Sequence, residues 1–536
     1  MRAPIAGLVA SIIAFALPAQ AAPETPSREA RPASQRSAED RPYSQFTYER
    51  TRVPMRDGVE LSVDLWRPVT PKNVKTPVIL VLTPYHYLYS ALDPRETDLP
   101  AGDAQQFVPQ GYTYAVADVR GTYNSGGCWN YGGIKERQDG YDIVEWLGTR
   151  SWSNGKVAMT GGSYDGTTAN AAAVERPPHL ATIVPISAIS RWWGYAYQQG
   201  ARSTYSGESA DADPPSDTPT DFMFAYGFLP PADPASVGHA DQVAMRWNLC
   251  DRVEKALKGY DTEPDYDKFW KERDYLRRAH RVNVPVLISH GQLDFNVKTW
   301  EGTQWFEALR TPKMMIVGQW PHASPRTRYA EWSKLLEKWF ERWLLGKKNG
   351  VENDPAVLVQ TDDAKWHTEK TWAGKKDIGY RLGKGTRSYF DDGALTESEM
   401  MRNATPSRYV RIALPETKKD LRIAGRPHLR LRAKSDMAST HFAATLLEAG
   451  AGGTRVISRA FLNARYRDSL AKGKDLKPGK WYTFDLEFID KDVVLEKGNH
   501  LELLISSSST TWVASDENRA NNTIDLAKSE LVLPLR

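Results

Sequence analysis

Apolar runs alternate with amphipathic helical segments through the first two thirds of the chain, and this alternation limits the possible folds more than any other feature. The runs end at turn residues, which is typical of buried strands in a parallel sheet. Between two of them, residues 139–150 have helical spacing. Such strand–helix alternation predicts an α/β fold with a mostly parallel sheet. The predicted strands are PVILVLTPY, YTYAVADVRG, KVAMTGGS, LATIVPISA, VPVLISHGQLD and KMMIVGQWPH.

The pattern changes twice along the chain, and these changes divide it into domains. After the strand that ends at residue 188, an acidic, Pro-rich loop and helix-like pieces interrupt the alternation, and we interpret them as a helical cap. After residue 349, short alternating strands separated by turns predict an all-β domain of sandwich or jelly-roll type. The predicted boundaries are 1–21 for a signal peptide, 22–44 for a disordered lead-in, 45–188 and 282–348 for the two parts of the α/β core, 189–281 for the cap, and 349–536 for the β domain.

The N-terminus has the pattern of a secretory signal peptide. Arg2 precedes an apolar stretch at residues 5–17, and Ala-Gln-Ala at residues 19–21 fits a cleavage site. The stretch is too short to span a bilayer, so we expect a periplasmic or secreted protein without a membrane anchor. A net charge of only +4, with no long Lys/Arg run, argues against nucleic-acid binding.

One serine stands among glycines in VAMTGGSYDGTTANAAA, between a predicted strand and a predicted helix. Gly flanks allow the chain to turn so sharply that the side chain at the tip, Ser163, is exposed, as in the nucleophile elbow G-x-S-x-G. Here the second Gly, Gly166, comes one position late. An ordinary strand-to-helix turn is the alternative interpretation.

Two further polar residues follow later strands in the order that a serine nucleophile of this fold requires. Asp294 ends VPVLISHGQLD, and His322 ends KMMIVGQWPH. Open α/β sheets place their sites at the carboxyl ends of such strands. Ser163 would need a base, His322 would accept its proton, and Asp294 would orient the imidazole. Taken alone, Asp294 has a turn or helix cap as its alternative role, and His322 a position on the surface.

The oxyanion of such a reaction also needs hydrogen-bond donors. The backbone N–H of Tyr164, which follows Ser163, is one predicted donor. The hydroxyl of Tyr85, at the end of PVILVLTPY, is the other. A packed Tyr beside a turn Pro is the alternative for Tyr85.

Several segments together resemble the cocaine-esterase-like hydrolases, a group that includes Xaa-Pro dipeptidyl-peptidases, α-amino-acid ester hydrolases and cephalosporin acylases. GGSYDG is similar to their G-x-S-Y-x-G elbow, TPYHY to their strand-end Pro-Tyr, and DVRGTYNSGGCW to their D-x-R-G-x-x-x-S-G-G segment. FWKERDYLRRAHRVNVPVLISHGQLDFNVK and NAAAVERPPHLATIVPISAISRWW look most like the Xaa-Pro dipeptidyl-peptidase branch. The resemblance runs from Tyr48 to the C-terminus.

The resemblance implies an α/β-hydrolase core with a helical cap and a C-terminal jelly roll. It implies a serine hydrolase without metal or cofactor, which uses Ser163, Asp294 and His322, with Tyr85 and Tyr164 at the oxyanion. The implied reaction releases Xaa-Pro dipeptides from peptide N-termini. An esterase or amidase for acyl esters, α-amino-acid esters or β-lactam side chains is the alternative within the same chemistry. An inactive secreted binding protein is the alternative from another class. Members of the group often self-associate, so a homo-oligomer is a further expectation.

A dipeptidyl-peptidase needs carboxylates for the substrate ammonium and an apolar slot for proline. Glu208 and Asp211, in the acidic loop of the cap, are candidates for the first role, and a solvated loop is the alternative. Trp192 and Trp193 are candidates for the slot, and aromatic packing of the cap is the alternative.

Export permits a disulfide between the two cysteines of the chain, Cys128 and Cys250, and two separate buried thiols are the alternative.

We predict that the exported protein has the mass of a chain beginning at Ala22. We also predict that alkylation under denaturing conditions without reductant leaves this mass unchanged. Two added alkyl groups would contradict the disulfide, and a mass that includes residues 1–21 would contradict the signal peptide.

Overall fold

The structure is a computed structural model that describes residues 42–85, 99–203, 263–391, 393–515 and 518–536. The predicted signal peptide, nearly all of the lead-in, Glu208, Asp211 and Cys250 lie outside the described residues. Cys128 lies within them and is not a free thiol, but the disulfide stays a prediction. The α/β core and the β domain belong to one unit, Tyr43–Arg536.

A ten-stranded sheet forms the centre of the α/β core, in the order β1-β2-β4-β3-β5-β6-β9-β10-β11-β12. Strands β7 and β8 pair with each other in a short hairpin outside this sheet. The strands are β1 (Phe46–Pro54), β2 (Glu60–Pro68), β3 (Thr76–Thr83), β4 (Thr113–Asp118), β5 (Ser153–Gly162), β6 (Leu180–Ile186), β7 (Tyr197–Gln198), β8 (Ala201–Arg202), β9 (Val286–Gly291), β10 (Lys313–Gly318), β11 (Val357–Gln360) and β12 (Trp366–Glu369).

The middle of the sheet is parallel from β4 to β11, and its two edges are antiparallel. Every residue of β3 and β4 is buried, as continuous apolar runs predict for strands covered on both faces. The α/β fold expected from the sequence is therefore confirmed. The helices described in this part of the chain are α1 (Asp103–Phe107), α2 (Ile134–Gly148), α3 (Tyr164–Ala173), α4 (Trp192–Ala196), α5 (Lys268–Glu272), α6 (Trp300–Ala308) and α7 (Trp332–Leu344). Most of the predicted helical cap, residues 204–262, lies outside the described residues.

Helices cover both faces of this sheet. Buried residues of α2, α3 and α6 belong to one apolar cluster with one face of the strands. Buried residues of α1 and α7 belong to a second cluster with the opposite face. The sheet is thus buried between two helical layers, and its strand ends are left at the edges, where loops can build a site.

The β domain consists of two antiparallel sheets that share an apolar core. One contains β13, β14, β16, β17, β20, β21, β23 and β24, and the other is ordered β15-β22-β18-β19. The all-β domain is therefore confirmed. Its elements are β13 (Lys376–Arg381), β14 (Thr386–Phe390), α8 (Glu397–Met401), β15 (Val410–Ala413), β16 (Leu421–Gly425), β17 (His428–Ser435), β18 (His441–Gly450), β19 (Gly453–Asn463), β20 (Tyr482–Glu487), β21 (Lys491–Leu495), β22 (His500–Ser506), β23 (Asn521–Asp525) and β24 (Glu530–Leu535).

The first two strands after residue 349 extend the central sheet instead of joining the β domain. β11 pairs in parallel with β10, and β12 pairs with β11. Their short alternating pattern is the same as that of the β-domain strands, so periodicity alone could not assign them to a sheet. Within the described ranges, every helix is too short or too polar to cross a lipid bilayer.

Candidate active site

Ser163 lies on a sharp turn between β5 and α3. Its φ of 60° and ψ of −121° are values that residues other than Gly rarely adopt. Gly161 has a φ of 148°, and a Cβ there would lie 2.3 Å from the Cβ of Asp165. A Cβ on Gly166 would lie 2.8 Å from the carbonyl oxygen of Gly161 and 2.9 Å from the nitrogen of Ile186. The displaced glycine therefore has its own steric reason, because it lets α3 start directly against the strand ends.

Asp294 and His322 are hydrogen-bonded to each other on the turns that follow β9 and β10. The Nδ1 of His322 donates to Oδ2 of Asp294 at 2.7 Å. The Oδ1 of Asp294 accepts from the backbone nitrogen of Val297 at 2.8 Å. The carboxylate is fully buried, whereas the His322 side chain is 25% exposed. The carboxylate thus fixes the Nδ1 side of the ring, so Nε2 is the nitrogen at which proton transfer would take place.

A second histidine, His290, also lies near this carboxylate. Its Nε2 is 3.7 Å from Oδ2 of Asp294 and donates to the carbonyl oxygen of Val297 at 2.7 Å. Burial lowers the pKa of His290, although the charge of Asp294 opposes this shift. A neutral, fully buried ring that is bonded to the backbone is poorly suited to exchange protons with a substrate. His322 is therefore the better candidate base.

The serine turn and the Asp294–His322 pair lie at the same end of the central sheet, where its parallel strands finish. The strands run in parallel in the order β5-β6-β9-β10. Their ends are in register, because Ile186 pairs with both Gly162 and Ser289. Ser163 and the turns that carry Asp294 and His322 all follow the carboxyl ends of these strands.

Tyr164 and Tyr85, the two predicted oxyanion residues, lie beside each other. Tyr164 is the first residue of α3, where a backbone N–H has no acceptor within the helix. Its hydroxyl is occupied elsewhere, since it donates to Oε2 of Glu136 at 2.5 Å and accepts from Nε1 of Trp129 at 2.7 Å. The ring of Tyr85 meets that of Tyr164 edge-on, with 6.4 Å between centroids. Tyr85 is therefore next to the turn that carries Ser163.

Comparison with known proteins gives the family. Residues 57–324, half of the chain, match the X-Pro dipeptidyl-peptidase (S15 family). The chain belongs to the X-Pro dipeptidyl-peptidase (S15) family. Residues 349–533 match the X-Pro dipeptidyl-peptidase C-terminal non-catalytic domain. As a member of this family the chain is an enzyme, a serine hydrolase.

Individual relatives agree with this assignment. A Bacillus anthracis protein named "Putative Xaa-Pro dipeptidyl-peptidase" is 28% identical over 539 residues, which cover 90% of this chain and 85% of the relative. The structure of an α-amino acid ester hydrolase is 20% identical, with a TM-score of 0.72, and the match covers 96% of this chain and all of that one. A CocE/NonD family hydrolase from Staphylococcus aureus is 18% identical, with a TM-score of 0.73 and coverage of 92% and 94%. At these identities the two structures show a shared fold.

The two tryptophans predicted to line a proline slot are buried in the structure. Trp192 is fully buried, and its Nε1 donates to the hydroxyl of Tyr275 at 2.9 Å. Trp193 is 1% exposed, and its Nε1 donates to the carbonyl oxygen of Pro264 at 2.8 Å. This burial favours aromatic packing, the alternative that the sequence left open. Trp193 also borders a cleft of about 350 Å³ between this segment and the β domain, whose described lining residues do not include Ser163, Asp294 or His322.

Glu136 belongs to the surroundings of the serine turn but gave no signal in the sequence. A carboxylate in the first turn of a helix is normally explained by the helix dipole. Here Oε1 accepts from the backbone nitrogens of Asn130 and Gly132, both at 3.0 Å, while Oε2 accepts from Tyr164. Burial raises the pKa of Glu136 to about 7, although these hydrogen bonds oppose the shift. A buried carboxylate therefore supports the residue that follows the nucleophile.

We predict that Tyr85→Phe lowers kcat by at least about tenfold and leaves the thermal unfolding midpoint nearly unchanged, because one oxyanion donor is lost. Steady-state kinetics on an activated ester measure this change. Tyr389→Phe is the matched control, since it removes a buried hydroxyl that bonds Ser507 within the β domain. Wild-type turnover by Tyr85→Phe would remove Tyr85 from the site.

We predict a pH-dependent effect of Glu136→Gln on stability. The folded-state pKa of Glu136, about 7, lies above its ordinary value of 4.5. Between these values the folded protein holds a proton that the unfolded chain has released, so this group lowers stability as pH rises. The difference in unfolding midpoint between wild type and Glu136→Gln should therefore become less favourable to wild type from about pH 5 to 7. A difference that stays constant over this range would contradict the raised pKa.

Proposed function

We propose that this chain releases Xaa-Pro dipeptides from the N-termini of peptides through an acyl-enzyme on Ser163. The observation that carries the proposal is the hydrogen bond between Asp294 and His322, at the sheet edge where the strained turn presents Ser163. Membership of a family named for this reaction supports the choice of substrate.

In the first half of the reaction, Oγ of Ser163 attacks the carbonyl carbon of the proline residue. The Nε2 of His322 accepts the serine proton, and Asp294 stabilises the imidazolium that forms. His322 then gives this proton to the nitrogen of the leaving peptide as the C–N bond breaks. The products of this half are the shortened peptide and an ester between the dipeptide and Ser163.

In the second half, water attacks the ester carbonyl while His322 accepts its proton. The proton returns to Oγ of Ser163 as the ester C–O bond breaks, and the dipeptide leaves as a free acid. In both halves the carbonyl oxygen becomes an oxyanion, for which the Tyr164 backbone N–H and the Tyr85 hydroxyl are the proposed donors.

Recognition of the substrate amino group belongs to the same proposal. A free N-terminal ammonium beside the scissile dipeptide calls for carboxylates, and Glu208 and Asp211 in the cap sequence are the proposed partners.

Among the residues that the structure describes, no group of three His, Cys, Asp or Glu side chains is arranged to hold a metal ion.

We also propose that the protein acts outside the cytoplasm, after removal of residues 1–21. The charged start, the apolar stretch and the Ala-Gln-Ala site support this location.

The experiment compares Ala-Pro-anilide with a simple aryl ester, using the purified protein and the Ser163→Ala variant. We expect turnover of the anilide by wild type, its loss in Ser163→Ala, and a covalent fluorophosphonate adduct that maps to Ser163. Ser388→Ala, on an exposed strand of the β domain, should behave like wild type. Turnover of the ester but not of any Xaa-Pro anilide would identify an esterase. Absence of an adduct on the intact protein would contradict the enzyme mechanism.

A further inference from the structure

The turn that carries Asp294 is bonded to strand β21 of the β domain through Gln292. The Gln292 side chain is fully buried, and its Oε1 accepts from the backbone nitrogen of Asp492 at 2.6 Å. Its Nε2 donates to the carbonyl oxygen of Gln360, on β11, at 2.8 Å. The ammonium of Lys491 donates to the carbonyl oxygen of Gln292 itself. Gln292 lies two positions before Asp294. Residues outside this turn therefore hold both its side chain and its backbone.

The turn that leads to His322 is bonded to the same two strands. The Nε2 of Gln319 donates to the carbonyl oxygens of Gln360, at 3.0 Å, and Asp492, at 3.3 Å. Its backbone nitrogen donates to Oε1 of Gln360 at 3.1 Å. The acid and base turns thus share one set of anchors, formed by Gln360 and by the backbone of Asp492.

The two turns are also bonded directly to each other. The backbone nitrogen of Gln292 donates to the carbonyl oxygen of Gly318 at 2.8 Å, and that of Leu293 donates to Trp320 at 3.0 Å. A shift of one turn would therefore strain its bonds both to the other turn and to β21. Such closed networks have one preferred arrangement, because any displacement leaves a buried polar group unsatisfied.

Burying the ammonium of Lys491 costs free energy, so a favourable interaction must offset it. Its side chain is almost fully buried, and burial lowers its pKa to about 7, although the charges of Asp294 and Asp490 oppose this shift. An apolar side chain would cover the same surface without the loss of ammonium hydration. What Lys491 adds is a hydrogen-bond donor to the carbonyl oxygen of Gln292, in the turn that carries Asp294.

We infer that Gln292 and Lys491 are positioning residues, through which the β domain holds Asp294 at hydrogen-bonding distance from His322. The inference rests on the proposed roles of Asp294 and His322. Catalytic groups must be held to within about half an ångström of the productive geometry, and small displacements remove much of the rate. On this inference the β domain sets the spacing of two groups that act on the substrate.

The experiment uses the full-length protein and two variants, Gln292→Leu and Lys491→Met. The matched control is Gln199→Leu. Gln199 also joins the α/β part to the β domain with both ends of its amide, since its Nε2 donates to the carbonyl oxygen of Asp485 at 2.8 Å and its Oε1 accepts from Glu487 N at 3.0 Å. The variant Gln199→Leu therefore removes a glutamine that joins the two domains but leaves the turn that carries Asp294 unchanged.

We expect each of the two variants to lower kcat for an activated ester at least about tenfold, with KM within about twofold, and Gln199→Leu to keep kcat within about threefold. In an Asp294→Asn background, Gln292→Leu should lower kcat by less than about twofold, because its effect passes through the Asp294 carboxylate. Equal losses in Gln292→Leu and Gln199→Leu would overturn the inference. A full additional loss in the Asp294→Asn background would do the same.

A second readout does not depend on turnover and separates this inference from the proposed function. The proton on Nδ1 of His322, bonded to the Asp294 carboxylate, should give a low-field proton NMR resonance that His322→Ala lacks. We expect Gln292→Leu and Lys491→Met to shift or abolish this resonance and Gln199→Leu to retain it. An unchanged resonance in all three variants would overturn the inference even if the wild-type protein were inactive.

Discussion

The buried carboxylate of Asp294 is the constraint on which the rest of the site depends. A carboxylate removed from water must find hydrogen-bond donors, and here one oxygen accepts from Val297 and the other from His322. The requirement fixes the ring of His322, and with it the direction of its second nitrogen. His290 lies 3.7 Å from the same carboxylate but bonds a carbonyl oxygen instead, so the charge has one partner that reaches the surface.

This pair can work only if the sheet brings it to the serine. The order β5-β6-β9-β10 does so, since all four strands run in parallel and end at one edge. The strained turn at Ser163 and the close approach of α3 at Gly166 hold the nucleophile at that edge. Hydrogen bonds to Gln360 and Asp492 join the turns that carry Asp294 and His322 to strands β11 and β21, which come later in the chain. The acid and base turns thus depend on contacts from both halves of the molecule.

Much of the fold followed from the sequence, because buried strands and the elbow leave local patterns. The runs that became β3, β4, β9 and β10 were predicted from their apolar residues alone, and Asp294 and His322 were found from where two of these runs end. Three features had no local signal. β11 and β12 alternate like β-domain strands but pair with the central sheet, Glu136 looks like a helix-dipole residue, and Gln292 looks like an ordinary turn residue. Each is explained by partners distant in sequence, which periodicity and spacing cannot reveal. Trp192 and Trp193 did give a signal, but it fitted two roles, because aromatic side chains suit a ligand slot and a packed core equally well.

Catalysis by this site requires that the carboxyl ends of the sheet strands bring Ser163 within reach of the His322 ring. The most direct measurement is a crystal structure of the protein with a phosphonate bound covalently to Ser163. We expect Nε2 of His322 to lie within roughly 3 Å of Oγ of Ser163, and a phosphonyl oxygen to face the Tyr164 amide. An imidazole turned away from the serine, or a phosphonyl oxygen that points into solvent, would contradict it.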